Sequence, residues 1–313
     1  MSAEWPKRAV RDFLVGERGK FVFEPCAAVP LSGVSGTNLY IHIPFCKSLC
    51  PYCPYNRVLY DKALAARYAR ALHREIELYS DLLGNIEIGS VYIGGGTPTT
   101  MTEALGSVLD QLQKCFRLTG PIALETIPTD LDQRTLLQLQ AIGVSLLSIG
   151  VQSFNDQYLK LIGRRYQASL LPEAIGRALA AGFDSVNIDL MFALPGQTTA
   201  EAVADLEIAL DLGAGQVTLY PLFTFPYAPV GRHLRLRRVA FPGLRVRREM
   251  YRALHDDALA HDMDRVSVWG FRKHEVARFS SVTRDDYIGI GAGAGTCRPR
   301  VFYFNTFSVP DYI

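Results

Sequence analysis

The chain has 313 residues, 49% of them hydrophobic and 20% charged, with a formal net charge of +2. That is globular composition, long enough for one large domain with an appendage, and it excludes disordered and collagen-like classes. Charge this near neutrality, with the basic residues dispersed, gives no reason to invoke nucleic acid.

The N-terminal stretch MSAEWPKRAVRDFLVGERGK has no apolar core and no small-residue cleavage site, so it does not read as a secretory signal. No run approaches the roughly 18 uncharged apolar residues of a membrane span. Residues 1–36 read as a lead-in. Short β-branched runs then alternate with helix-like stretches. NLYIHI (38–43), EIGSVYIG (87–94), IALE (122–125), VSLLSIGV (144–151), DSVNIDLMF (184–192) and QVTLYPLF (216–223) read as buried parallel strands. Helices are predicted over 61–83, 102–117, 131–141, 169–181 and 199–212, the first with Leu64, Tyr68, Leu72, Ile76 and Tyr79 on one face. The alternation implies right-handed βαβ units and an α/β fold, a closed or partial (β/α)6 barrel of TIM type over 37–228. From 229 to 313 the repeat gives way to an α+β extension: a helix near 243–262, a strand-like VSVWGF (266–271) and the glycine-rich YIGIGAGAGT (287–296). Arg232, Arg235, Arg237, Arg238, Arg245, Arg247 and Arg248 form a local basic cluster, read as a solvated loop and helix start or as a contact for an anionic substrate.

Six cysteines are too few for a disulfide scaffold, and Cys46, Cys50 and Cys53 fall within eight positions. Clustering of this kind points to metal binding in a reducing compartment, the cytoplasm. The spacing C-x3-C-x2-C lies in the loop after the first strand. Three thiolates from one compact loop can each bind one iron of a cubane [4Fe–4S] cluster, leaving the fourth iron for a ligand with an amine and a carboxylate. A zinc site would want a fourth ligand, and His42 lies inside the preceding strand. Cys26, Cys115 and Cys297 read as structural.

VYIGGGTPT (91–99) ends the second strand, where barrel enzymes place their sites, and Gly95 and Gly96 would let the backbone approach a ligand. Glu125, Gln152 and Asp189 are polar groups at or beyond the ends of apolar strands, and Arg164 lies twelve residues after Gln152. Such groups are costly to bury without partners. The run GIGAGAG (289–295) lacks the following helix of a dinucleotide fingerprint and reads as a close-packed turn near the mouth of the site.

The string from Tyr40 to Tyr55, YIHIPFCKSLCPYCPY, resembles the signature of the radical S-adenosylmethionine (SAM) superfamily, in its branch around oxygen-independent coproporphyrinogen III oxidase. The resemblance covers roughly residues 38–310. It implies a [4Fe–4S] cluster on Cys46, Cys50 and Cys53 that passes an electron to SAM and breaks its C5′–S bond. It further implies that Gly95, Gly96, Glu125 and Arg164 contact the cluster-bound SAM. Gln152, Asp189 and Phe223 would help hold a second SAM, Tyr40 would lie near the cluster and Tyr55 beside the adenine.

Within that branch the residues favour a class C methyltransferase, which uses two SAM molecules to methylate an sp2 carbon of an aromatic or heteroaromatic substrate. The alternative is the branch's heme chaperone, a heme-binding and transfer protein. The chaperone's His-Asn-x-x-Tyr-Trp stretch is replaced here by SSVTRDDY (280–287), and the histidine after its glycine run is Gly295. Coproporphyrinogen decarboxylation is disfavoured because the oxidase's further cysteine is Tyr55. Expected partners are a small aromatic, quinone or tetrapyrrole substrate and a low-potential electron donor such as flavodoxin or ferredoxin. Family members continue into a C-terminal helical or winged domain, and this chain stops at about its start.

Overall fold

The computed structural model describes residues 31, 33–223, 240–276, 286–299 and 301–313. Nearly all of the lead-in, Cys26, Arg232, Arg235, Arg237, Arg238 and SSVTRD (280–285) therefore lie outside the described residues. Strand β1 (Gly36–Ile43) is followed by helix α1 (Lys62–Leu83), β2 (Glu87–Gly95), α2 (Thr102–Cys115), β3 (Ile122–Thr126), α3 (Gln133–Ala141) and β4 (Val144–Gln152). The series continues with α4 (Asp156–Leu161), α5 (Leu171–Ala180), β5 (Ser185–Phe192), α6 (Thr199–Asp211) and β6 (Gln216–Pro221). Strands β1 to β6 pair in parallel with their sequence neighbours, the arrangement that the alternation predicts.

The helices form where their caps and apolar faces place them. In α1, Tyr68, Leu72, Ile76 and Tyr79 are buried and Leu64 half-buried, and the Asp61 side chain accepts from the Leu64 N–H at 2.7 Å. Helix α6 starts with a reciprocal capping box between Thr198 and Glu201. Strands β4 and β5 are buried on both faces, which only a sheet covered by helices outside and side chains inside allows.

The extension contains α7 (Leu244–Ala260), β7 (Met263–Arg265), β8 (Gly270–Lys273), β9 (Tyr287–Ile290), β10 (Gly295–Arg298), β11 (Val301–Phe304) and α8 (Val309–Tyr312). It adds to both ends of the sheet: β8 lies antiparallel on β6, and β9 parallel on β1. The order is β7-β8-β6-β5-β4-β3-β2-β1-β9-β10-β11, and among the described residues its two ends do not pair. The barrel is therefore partial rather than closed. VSVWGF is not one strand, because Val266–Trp269 turn between β7 and β8, with Ser267 Oγ accepting from Gly270 N at 2.8 Å. The glycine run is a close-packed turn only at 291–294, its ends belonging to β9 and β10: a Cβ on Gly291 would lie 2.6 Å from the His42 carbonyl oxygen and from the Tyr68 hydroxyl.

Candidate functional site

The C-terminal ends of β1 to β6 open onto one cavity of about 470 Å³. Cys46, Cys50 and Cys53 form part of its wall, together with Tyr55, Gly95, Gly96, Glu125, Gln152, Arg164, Asp189 and Phe223. Eleven of the twelve residues singled out from sequence thus meet in one space although they span β1 to the end of β6. Tyr40 does not line it. Its buried hydroxyl bonds the His42 ring at 2.9 Å, one layer behind the wall.

The cysteine loop is braced at several points. Arg57 donates to the Cys50 carbonyl at 2.6 Å and to the Tyr55 carbonyl at 3.2 Å, while its Nε is buried without a partner. Lys47 reaches the buried Asp130 at 2.8 Å, and Asp130 also accepts from Thr99 at 2.7 Å. His42 Nε2 bonds the Asn56 carbonyl at 2.7 Å, and the Asn56 amide donates to the carbonyls of Ala292 and Phe307. The Gly94–Gly96 run is packed hard from the other side. A Cβ on Gly96 would meet the Phe45 carbonyl at 2.7 Å, and one on Gly95 the His42 ring at 2.6 Å. Gly95 also has φ +116°, open to glycine and strained for other residues.

Charge in the cavity is unevenly placed. Glu125 accepts from the Tyr92 hydroxyl at 2.8 Å and the Gly95 N–H at 3.0 Å, and burial raises its carboxyl above the ordinary range. Asp189, bonded by Asn187 and Ser148, is pushed up to about 7 by burial and by Glu125. Neither forms an ion pair among the described residues. Arg164 donates to the Gly150 carbonyl at 3.1 Å and sits between the Tyr52 and Tyr166 rings, its buried Nε unpartnered. Burial raises the thiols of Cys46 and Cys53, the latter to about 11, and Arg57 opposes the shift at both.

These features suit a cluster, since Cys46, Cys50 and Cys53 all line one space. Two guanidinium groups with unmet Nε atoms suit a negatively charged cluster and a carboxylate, and binding iron would displace the protons that burial holds on the thiols. Lys47, Arg57, Tyr92, Met191, Tyr220 and Trp269 also line the cavity and were not singled out from sequence. Arg57 carried a signal, a cation four residues after Cys53. Trp269 reaches the wall only because the 266–269 turn folds it against Phe223, with ring centroids 6.1 Å apart.

The family profile described as Radical SAM superfamily matches residues 40–209. Heme chaperone HemW from Bacillus subtilis (strain 168) is 31% identical over 264 residues, covering 82% of this chain and 70% of that protein. Heme chaperone HemW from Escherichia coli (strain K12) is 30% identical over 278 residues, covering 82% and 69%. The solved structure of coproporphyrinogen III oxidase (HemN) from Escherichia coli superposes with a TM-score of 0.75 at 22% identity, over 89% of this chain and 69% of that one, a likeness of fold.

Proposed function

The chain belongs to the radical SAM superfamily, in its coproporphyrinogen III oxidase-like branch, and from that premise we propose that it cleaves SAM in this cavity and takes heme as the partner of the same site. The observation that carries the reading is the meeting of Cys46, Cys50, Cys53, Arg164, Glu125 and the glycine run around one space. The heme part rests on the relatives named heme chaperone. The class C methyltransferase favoured from the residues alone has no such support among the relatives and becomes the second reading. Gln152 and Asp189 sharing the cavity with Glu125 and Arg164 is the observation that favours it.

A [4Fe–4S] cluster held by Cys46, Cys50 and Cys53 would supply the electron for reductive cleavage. The chain's own groups do the rest. Arg164, which lines the cavity, clamps the carboxylate of the methionine portion through its guanidinium group. Glu125, fixed by Tyr92 and Gly95, accepts from an ammonium group or ribose hydroxyls. The bare backbone of Gly95 and Gly96 lets the ligand lie against the strand end. Tyr220, Phe223, Met191 and Trp269 give the far side an apolar face that excludes water and suits a flat macrocycle.

The position after the glycine run would give heme no side-chain ligand, because it is Gly295 in β10, where a Cβ would stand 3.1 Å from the exposed Phe304 ring.

The test uses anaerobically reconstituted protein with methyl-labelled SAM, dithionite and heme. Stoichiometric heme binding, with reductant-dependent 5′-deoxyadenosine and no S-adenosylhomocysteine, is expected. S-adenosylhomocysteine formed together with a labelled product, and no heme bound, would replace the proposal by the methyltransferase. Absence of deoxyadenosine under every condition would overturn the SAM chemistry.

A further inference from the structure

Gln152 has an unusual backbone for its residue type. It ends β4 with φ +75°, and the pairing of β4 with β5 slips at this point, from Gly150↔Asp189 to Gln152↔Leu190. The result is a bulge whose left-handed residue is not glycine, a conformation costly for a side chain with a Cβ. The bulge turns the Gln152 side chain into the cavity, where a Cβ on Gly150 would stand 3.0 Å from its Nε2.

Something must hold this strained residue, and bonds grip the chain on both sides of it. Before it, the Tyr166 hydroxyl lies 3.1 Å from the Gly150 carbonyl and 2.9 Å from the Val151 carbonyl, and Arg164 also donates to Gly150. After it, Asp205 of α6 accepts from the Ser153 hydroxyl and from the Phe154 N–H, both at 2.7 Å. Ser153 is fully buried and Asp205 only 5% exposed. Asp205 forms no ion pair among the described residues, and it does not line the cavity. A carboxylate buried in this way is expensive. A cap on Ser153 and Phe154 alone needs no charge, whereas charge-assisted bonds to two consecutive residues fix the direction in which the chain leaves Gln152.

We propose that Asp205 is a positioning residue: by gripping Ser153 and Phe154 it keeps Gln152 in its left-handed bulge and so presents the Gln152 amide to SAM in the cavity. The SAM part rests on the reading of the cavity as a SAM site and on the second-SAM position that the resemblance gives Gln152, and the grip on the bulge does not.

Two measurements on the full, reconstituted chain test the two parts. The first compares Gln152→Gly with Gln152→Ala by urea unfolding, in the wild-type background and again with Asp205→Ala. Glycine takes φ +75° freely and alanine does not. The unfolding constant of the alanine variant should therefore exceed that of the glycine variant by about three- to tenfold when Asp205 is present. Without Asp205 the bulge relaxes and the ratio should fall towards one. An unchanged ratio overturns the grip. If Asp205→Ala does not fold, Ser153→Ala, which removes one of the two bonds, carries the same comparison.

The second measurement is equilibrium dialysis of labelled SAM without reductant. Asp205→Ala should weaken binding about tenfold at unchanged iron content, and Asp205→Asn, which keeps an acceptor for Phe154, should restore most of it. Wild-type affinity in Asp205→Ala overturns the positioning role. Failure of the wild-type protein itself to bind SAM would overturn the reading of the cavity and the SAM part with it, while the ratio at position 152 still decides the grip.

Discussion

Gly95→Ala places a methyl group where the structure has no space and bends a residue where φ disfavours it. The new Cβ would stand 2.6 to 2.9 Å from three atoms of the His42 ring. That ring cannot swing aside, because Tyr40 holds one nitrogen at 2.9 Å and the Asn56 carbonyl the other at 2.7 Å. Asn56 is tied in turn to Ala292 and Phe307. Overfilling of this kind costs about 1–3 kcal/mol, and a side chain at φ +116° about 1–3 kcal/mol more. The narrower unfolded ensemble of alanine offsets roughly 0.4–1 kcal/mol. A net loss of about 3 kcal/mol should lower the midpoint of thermal unfolding by about 6–12 °C in a domain near this size. The same displacement pushes the loop through Asn56, so iron per chain after reconstitution should fall as well. Removing the obstacle checks the cause: in Gly95→Ala/His42→Ala the two losses should add to less than their sum by about 1–3 kcal/mol. A Gly95→Ala variant melting within about 1 °C of wild type, or strictly additive losses, would refute the reasoning.

Asp189 gives a pH signature. Its carboxyl is pushed from 3.8 to about 7 on folding, so the folded state binds the proton more tightly and pays for ionisation. The penalty is absent below pH 3.8, grows through the interval and is complete above about 7, reaching at most ~4 kcal/mol. His42, lowered to about 4 by burial, acts the other way, destabilising the fold as pH falls below 6.5. The difference between the wild-type and Asp189→Asn curves isolates the first effect and should widen from pH 4 to 7; parallel curves would contradict it. Arg57 should act on the cluster. Arg57→Gln is expected to lower iron content and move the midpoint potential negative, since a cation beside the thiolates favours the added electron. Arg57→Lys should keep the potential nearer wild type, and an EPR-monitored redox titration that shows no shift with Gln would dismiss the electrostatic role.

The barrel was readable because each of its strands is a short apolar run and each helix repeats its apolar face on a local period. Local spacing also marked the cysteine loop and the glycine run, which are contiguous in sequence. Pairings across long separations left no local mark. Lys47 meets Asp130 across 83 positions, and β9 returns to β1 from 249 residues away, as Thr37 and Asp286 show by their bond. The β-branched run VSVWGF looks like a strand, but Ser267 closes a turn by accepting from Gly270, and β8 begins only there. Tyr40 is one residue of an alternating strand, and a period of two could not say that its hydroxyl would be taken up by His42 behind the wall.

The cysteine loop lies near the start of the barrel, yet much of what fixes it comes from the last 25 or so residues. Glu75 on α1 accepts from Gly291 N at 2.8 Å, Asn305 Nδ2 at 2.7 Å and the Tyr312 hydroxyl at 2.5 Å, which seats the C-terminal segment on that helix. From that seat Ala292 and Phe307 receive the Asn56 amide, and Tyr68 donates to the His42 carbonyl while accepting from Ala292 N. Each bond is worth only about 1 kcal/mol singly. Together they join β1, the cysteine loop, α1 and the C-terminal segment into one buried polar network, where losing one member leaves several groups unpaired. A loop that is to carry three ligands of one cofactor, as proposed for Cys46, Cys50 and Cys53, has to be held to within a fraction of an ångström. In this chain that precision depends on residues more than 200 positions beyond the cysteines, as the 236-residue separation of Asn56 from Ala292 shows.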